Sequence, residues 1–111
     1  MTNKSYLIPI EMQSFNSSSL TGSYQAINSA GFTQPLAVLR LVNDSNQDVT
    51  ISYDGSTDND FLRSGDTLQI GAQTNRDGNV NLSNFKKGTK LSIKGSTGTG
   101  LLYLTGYYHP N

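Results

Sequence analysis

Short runs in which apolar and polar residues alternate, separated by turn-forming clusters, constrain the fold of this chain more than any other feature. Residues 49–53 alternate Val, Ile and Tyr with Thr and Ser, and residues 67–73 and 90–94 repeat the pattern. A period of two residues places the apolar side chains on the inner face of a β-strand and the polar ones on the outer face. We therefore expect three half-buried strands in which Ser52 and Ser92 face outward.

Two longer runs, residues 35–43 and 100–108, are apolar at both odd and even positions. This pattern is typical of central strands, or of strands that hold one face against a partner. Residues 6–10 and 20–27 are weaker strand candidates. With turn signals about every 8–12 residues and no apolar stripe of helical period, the sequence predicts an all-β fold. The spacing is the pattern of a β-sandwich or barrel, and we expect a single-domain antiparallel β-sandwich with seven or eight short strands and almost no helix.

The composition narrows the chemistry that the chain can perform. It contains no cysteine, which excludes a disulfide framework and a thiolate nucleophile, and it contains no tryptophan. Charged residues make up 14% of the chain, against about 25% in a typical soluble domain. The sequence shows no apolar run of the length needed for a signal peptide core or a membrane span. We therefore expect a protein that is made in a cytoplasm and binds no membrane.

The zero net charge hides an asymmetry along the chain. Residues 44–66 hold six aspartates and one arginine, a local charge of −5, whereas residues 76–94 hold five basic residues and one aspartate, a local charge of +4. Two solvated faces explain this pattern, as does electrostatic complementarity between copies or with a larger partner. A nucleic-acid partner is not expected, because it requires a dominant basic field with aromatic or arginine readers.

Four aspartates, Asp54, Asp58, Asp60 and Asp66, follow the strand at residues 49–53 and form the first candidate site. As an EF-hand the stretch fails, because the sixth position from Asp54 is not glycine and the twelfth is not glutamate. An irregular calcium site in a loop stays open, but Asp and Asn are also the ordinary residues of turns. We expect all four to be turn and rim residues around a hairpin, and we predict no metal site.

Acid–base and nucleophilic catalysis find no support in the sequence. Glu11 is the only glutamate, and the only histidine, His109, lies near the end of the chain, where residues are often poorly ordered. No pair of carboxyls or nucleophile–base pair is evident. We predict no catalytic residue, no cofactor and no enzyme. Exposed aromatic residues could stack on sugars, but packing of tyrosine and phenylalanine in the core is the commoner role.

Two segments together resemble small virion proteins of tailed double-stranded DNA bacteriophages: "LVNDSNQDVTISYDGSTDNDFLRSGDTLQI" at residues 41–70 and "FKKGTKLSIKGSTGTGLLYLTGYY" at residues 85–108. In length and composition the chain is similar to the capsid decoration proteins, also called cement or staple proteins, of short-tailed phages of the epsilon type. The resemblance implies a jelly-roll β-sandwich bound in many copies to the outer capsid surface. There it would cement joints between major capsid subunits, and the protein would be located in the virion after synthesis in the host cytoplasm.

Two sets of residues are candidates for the contact with the major capsid protein or with another copy in a dimer. The domain spans residues 1–111, and residues 1–19 are a candidate N-terminal arm that adds a strand to a neighbour. The candidate contact residues are Tyr6, Leu7, Ile8 and Ile10 in the arm and Lys86, Lys87, Lys90 and Lys94 in the basic segment. The alternative function is a carbohydrate- or receptor-binding β-domain of a phage tail or head fibre.

Overall fold

A computed structural model describes residues 7–71 and 85–109 of the chain, and within them the fold is all-β. The only helical element in these two ranges is a 3-10 turn at Ser17–Ser19. The strands are β1 (Ile8–Pro9), β2 (Gln13–Asn16), β3 (Gln25–Ala26), β4 (Val38–Ser45), β5 (Val49–Ser52), β6 (Asp60–Leu62), β7 (Thr67–Gly71), β8 (Ser92–Gly95) and β9 (Gly100–Tyr108). The prediction of a single-domain antiparallel β-sandwich with almost no helix is confirmed.

The strands form two sheets in which every pairing is antiparallel. In sheet A, β1 and β2 both pair with β9, which is followed by β4 and β7; sheet B has the order β3–β8–β5–β6. Ile8 pairs with Tyr108, whereas Gln13 pairs with Leu104. The chain therefore has one more residue between Ile8 and Gln13 than β9 has between Leu104 and Tyr108. This is a β-bulge, and β1 and β2 act as one bulged edge strand. Counted so, the described residues form two sheets of four strands each, which is the strand number of a jelly roll.

The core lies between the inner faces of the two sheets. On the central strands of sheet A every second residue is fully buried, as at Leu39 and Leu41 of β4 and at Leu102 and Leu104 of β9. Sheet B contributes its own alternating set from β5, from β8 and from the residue before β8, which is Val49, Ile51, Leu91 and Ile93. The predicted inner faces of β5 and β8 are therefore confirmed, because the period of two alone determines which side chains share a face.

Two serines do not follow the expectation that polar residues on half-buried strands are exposed. Ser52 and Ser92 are predicted to face outward, yet both are buried. They pair directly across β5 and β8 on the outer face of sheet B, and neighbouring residues cover such short side chains. Ser52 Oγ accepts hydrogen bonds from the backbone N–H groups of Asp54 and Gly55, at 3.2 and 2.9 Å. Its hydroxyl therefore closes the following turn.

The acidic segment, residues 44–66, connects the two sheets. Its first part forms a hairpin between β5 and β6 in sheet B, and the chain then crosses to β7, which pairs with β4 in sheet A. The runs at residues 49–53 and 67–73 are therefore not partners in one hairpin. Residues 72 and 73 of the second run lie outside the described residues. The sequence did not indicate strands β2 and β6. Strand β2 contains mostly polar residues and β6 contains few residues, so both are defined by pairing with their neighbours.

Candidate functional site

The outer face of sheet A is unusually apolar for a surface. The side chains that alternate with the buried core residues of β4 and β9 are half-buried, and we name them the sheet A outer face: Val38, Val42, Leu101, Tyr103 and Tyr107. Val42 pairs with Tyr103 and Val38 pairs with Tyr107, so aliphatic and phenolic side chains lie side by side across the two central strands. The prediction that residues 35–43 and 100–108 form central strands is confirmed.

Two polar residues lie in the middle of this face. Arg40 is exposed and pairs with Thr105 of β9 on one side and with Gln69 of β7 on the other. Thr105 Oγ1 is buried but has no hydrogen-bond partner among the described residues. A buried hydroxyl without a partner is uncommon in native proteins. The centre of the sheet A outer face therefore combines a solvent-exposed guanidinium with an unsatisfied acceptor and donor.

The outer face of sheet B has a different chemistry. Phe61, Thr50 and Lys94 are paired across β6, β5 and β8, so they form one row on this face. Phe61 is 56% exposed. Two open depressions meet at Thr50: one of about 350 Å³ lies beside Phe61, and one of about 620 Å³ lies beside Lys94. The larger depression is lined by threonine, serine and glycine residues together with Leu20, Asp48 and Lys94.

A cluster of three side chains lies at one end of this row. Lys94 Nζ lies 3.1 Å from Asp58 Oδ1 and 4.7 Å from the centre of the Tyr24 ring, and the Tyr24 hydroxyl donates a hydrogen bond to Asp58. The hydrogen bond from Tyr24, together with the Lys94 ammonium, lowers the pKa of Asp58. Partial burial and the same hydrogen bond raise the pKa of Tyr24 to about 12. The cluster joins the chain before β3 to β8 and to the β5–β6 loop.

The other aspartates of the acidic segment have separate structural partners. Asp54 Oδ1 accepts hydrogen bonds from the backbone N–H groups of Ser56 and Thr57 at 2.9 and 2.8 Å, and these bonds hold its pKa far below the usual carboxyl value. Asp60 lies on β6 rather than in a turn and accepts a hydrogen bond from the Tyr53 hydroxyl at 2.7 Å. Burial and that bond raise the pKa of Tyr53. The prediction of a turn role is thus confirmed for Asp54 but not for Asp60.

The described ranges contain no group of three or more His, Asp or Glu side chains that could hold a metal ion. Asp54 and Asp60 are engaged with different donors, and Asp58 binds Tyr24 and Lys94. Asp66 is exposed in the turn before β7, where its backbone carbonyl accepts a hydrogen bond from Asn43 at 2.9 Å. The four carboxylates that follow one another in sequence are therefore distributed over separate contacts.

The candidate N-terminal arm lies partly in sheet A. Ile8 pairs with Tyr108 of the same chain, and the Ile10 N–H donates to the Gly106 carbonyl at 2.9 Å. Ile10 also packs against the core, whereas Leu7 is 39% exposed. Tyr6 lies outside the described residues. The role of these four residues in binding a neighbour stays a prediction, to which the structure adds that β1 already occupies the edge beside β9.

The four candidate lysines do not form one patch. Lys86 and Lys87 are exposed in a turn that precedes β8, and Lys90 is exposed between that turn and the strand. Lys94 lies near the opposite end of β8 and is engaged with Asp58 and Tyr24. The first three residues are therefore available to a partner, while Lys94 would have to exchange an internal contact.

Two buried amides were not identified from the sequence, although both organise the loops around these faces. Asn28 Nδ2 donates to the Thr89 carbonyl at 3.0 Å, and its Oδ1 accepts from the Leu91 N–H at 2.8 Å. Asn43 makes a similar set of bonds at the end of β4. Asn is so common in turns that its identity gives no sign of burial. Tyr24 was missed because it belongs to a weakly patterned segment.

The chain matches no protein-family model, no curated protein and no solved structure. None of the helical structure in the described ranges is long and apolar enough to cross a membrane. Function is therefore inferred from the residues and their geometry.

Proposed function

We propose that this protein is a structural virion protein that binds the outer surface of a phage capsid in many copies. It would cement the joints between major capsid subunits and associate with a second copy on the capsid. The observation that carries this proposal is the sheet A outer face, on which the half-buried pairs Val38–Tyr107 and Val42–Tyr103 lie across β4 and β9 on either side of Arg40. The resemblance of residues 41–70 and 85–108 to small phage virion proteins supports the same function.

The chemistry of this face suits docking to another protein. Tyrosine and arginine are the residue types that most often dominate protein interfaces, because each combines a large contact area with polar groups. Here Arg40 is exposed between Val38 and Val42, and Tyr103 and Tyr107 lie on the neighbouring strand. The unsatisfied hydroxyl of Thr105 lies in the same row as Arg40. A partner that docks on this face would cover its apolar side chains and could supply hydrogen bonds to Arg40 and Thr105 at the centre of the face.

The area of the face indicates how strongly one copy would bind. The two central strands contain eight and nine residues. With a rise of about 3.3 Å per residue and about 4.8 Å between strands, four strands give a face of roughly 27 by 19 Å, or about 500 Å². A typical specific interface buries about 800 Å² per partner. One sheet face would therefore bind weakly, and a second contact or a second linked copy would be needed for stable attachment.

Co-sedimentation with undecorated capsids of the phage that encodes the protein tests this function. The wild-type protein should pellet with the capsids and raise the temperature at which they release their contents, because a ligand that binds only the intact shell stabilises it. Arg40→Glu should weaken capsid binding by at least about tenfold, since it places a carboxylate at the centre of the face. Tyr103→Ser should do the same by removing an aromatic anchor.

Phe61→Ala is the matched control, because it removes an exposed ring from the opposite sheet. Urea unfolding of each variant separates loss of binding from loss of fold, and Arg40 is exposed, so its replacement should leave the fold intact. A wild-type protein that stays in the supernatant at low salt would exclude the proposed function. Binding that Arg40→Glu and Tyr103→Ser leave unchanged would exclude the sheet A outer face as the contact.

A further inference from the structure

The outer face of sheet B carries an aromatic ring that nothing in the described part of the structure covers. Phe61 is 56% exposed although it lies on a strand, and its neighbour across β5 is Thr50. Exposing a large aromatic side chain on a sheet forgoes the free energy of burying it. The depression of about 350 Å³ next to it is lined by Thr50, Asp58, Asn59, Asp60 and Phe61. An apolar ring surface is thus bordered by hydroxyl, amide and carboxylate groups.

The polar groups around this ring retain hydrogen-bonding capacity. Both contacts of Asp58 with Tyr24 and Lys94 use Oδ1. Asp58 Oδ2 therefore has no hydrogen-bond partner among the described residues. Carboxylate oxygens can accept several hydrogen bonds each. The edge of the depression can accept hydrogen bonds from a ligand rich in hydroxyl groups.

The depression continues along the sheet past Thr50. On the other side of Thr50, the larger depression of about 620 Å³ is lined by Thr21, Ser96 and Thr97 together with Leu20 and Gly95. The charged residues that line the two depressions are Asp48, Asp58, Asp60 and Lys94, and Lys94 is paired with Asp58 at 3.1 Å. The remaining charges of the groove are negative, which disfavours anionic ligands.

We propose that this groove on sheet B, with Phe61 at one end and Thr50 at its middle, binds a neutral oligosaccharide. The apolar C–H face of one sugar ring would stack on Phe61, and its hydroxyl groups would hydrogen-bond to Asp58 Oδ2 and to the Thr50 hydroxyl. The row Phe61–Thr50–Lys94 spans two strand spacings of about 4.8 Å each, so it matches roughly two sugar units of about 5 Å. This site is separate from the sheet A outer face and would let a capsid-bound copy hold surface glycans.

Native gels that contain a neutral polysaccharide test the inference directly. Separate gels contain dextran, mannan, galactomannan, xylan or, as an anionic counterpart, chondroitin sulfate, and a neutral glycan array extends the panel. At least one neutral polysaccharide should retard the wild-type protein relative to a plain gel. Phe61→Ala should weaken the apparent affinity by about tenfold, because it removes the stacking surface. Thr50→Val, which keeps the shape and removes the hydroxyl, should weaken it as well.

Met12→Ala is the matched control, since Met12 is 54% exposed at the edge of sheet A, away from the groove. It should be retarded as strongly as the wild-type protein. Phe61→Ala should still pellet with capsids, which distinguishes this site from the capsid contact. The inference is overturned if no neutral glycan binds, if only chondroitin sulfate retards the protein, or if Phe61→Ala binds as tightly as the wild type.

Discussion

The buried side-chain amide of Asn43 donates a hydrogen bond of 2.8 Å to the backbone carbonyl of Gln47, and this bond holds the corner where the chain passes from sheet A to sheet B. Its Nδ2 also lies 3.3 Å from the Leu62 carbonyl, and its Oδ1 accepts from Ser45 Oγ at 2.6 Å. One side chain thus connects the end of β4 with the β4–β5 turn and with β6. The two faces proposed for binding depend on this corner for their relative placement.

Replacing Asn43 should destabilise the fold more than its size suggests. Asn43→Leu keeps a similar volume but removes the buried amide's hydrogen bonds to the Gln47 and Leu62 carbonyls and its bond from the Ser45 hydroxyl. We expect a loss of about 3 kcal/mol in the free energy of unfolding, measured by urea denaturation. Gln69→Ala, on the exposed side of β7, is the control and should change it by less than about 0.5 kcal/mol. A loss below about 1 kcal/mol for Asn43→Leu would contradict this account of the corner.

Gly106 should tolerate no side chain, because β9 and β4 approach too closely there. A Cβ atom at Gly106 would lie 2.5 Å from Leu36 Cδ1 and 3.0 Å from the Val38 carbonyl oxygen. We expect Gly106→Ala to lower the free energy of unfolding by about 1–3 kcal/mol through overpacking. At Gly22 a Cβ atom would meet nothing within 4 Å, so Gly22→Ala should be nearly neutral. Equal effects of the two substitutions in thermal unfolding would be evidence against the tight contact.

The Tyr24–Asp58–Lys94 cluster should make part of the stability depend on pH in the acid range. Tyr24 and Lys94 lower the pKa of Asp58 in the folded protein. The contribution of Asp58 is therefore present above the ordinary carboxyl pKa of about 3.9 and is lost as the pH falls through the lowered value. Asp58→Asn resembles the protonated state, so its urea midpoint should lie below that of the wild type at neutral pH.

The two midpoints should converge as the pH falls below the ordinary carboxyl pKa and through the lowered value. Asp66→Asn is the control at neutral pH, because this exposed carboxyl accepts no side-chain hydrogen bond from the described residues. A difference between wild type and Asp58→Asn that stays constant from neutral to acid pH would show that the cluster contributes no charge-dependent stability.

The Tyr24–Asp58–Lys94 cluster also predicts a change in stability at alkaline pH. The pKa of Tyr24 is raised to about 12, so its contribution is present below the ordinary tyrosine pKa of about 10 and is lost as the pH rises through the raised value. The difference in urea midpoint between wild type and Tyr24→Phe should therefore shrink between about pH 10 and pH 12. A difference that grows over this range would contradict the hydrogen bond from Tyr24 to Asp58.

If the exposed lysines contact the capsid, their effect should depend on salt. Replacing Lys86, Lys87 and Lys90 together by Gln should weaken capsid co-sedimentation at low ionic strength. At about 0.5 M salt the triple variant and the wild type should bind alike, because the Debye length falls to about 4 Å. Arg63→Gln is the control for removing an exposed positive charge elsewhere. A triple variant that binds as well as the wild type at low salt would exclude these lysines from the interface.

Much of the sandwich could be predicted because its central strands carry local patterns. The alternation at residues 49–53 and 90–94, and the apolar runs at 35–43 and 100–108, correspond to β5, β8, β4 and β9. Each pattern reflects the period of two along one strand, which requires no knowledge of the neighbours. Strands β2 and β6 escaped prediction because most residues of β2 are polar and β6 has only three residues, and pairing with β9 and β5 defines them.

The candidate sites, too, could be predicted only where they depend on a local pattern and not where they depend on strand pairing. Apolar residues on both faces of residues 35–43 and 100–108 indicated a covered face, but not that the two runs would be neighbours. Tyr24 and Asp58 are 34 residues apart, and the four acidic side chains that looked like one site were distributed among different partners. No local pattern encodes such contacts, because they depend on how the two sheets are ordered.

By itself, therefore, the sequence determined that the chain forms short strands, which side chains share a face, and that Asp54 belongs to a turn, because these features depend on local backbone geometry. Only the tertiary structure decided which strands pair, that Val42 lies beside Tyr103 and Thr50 beside Phe61, and that Asn43 is buried. The physical reason is that backbone hydrogen bonds are alike for every pair of strands. Strand order is selected by the burial of whole faces at once, and that burial is a property of the complete sandwich.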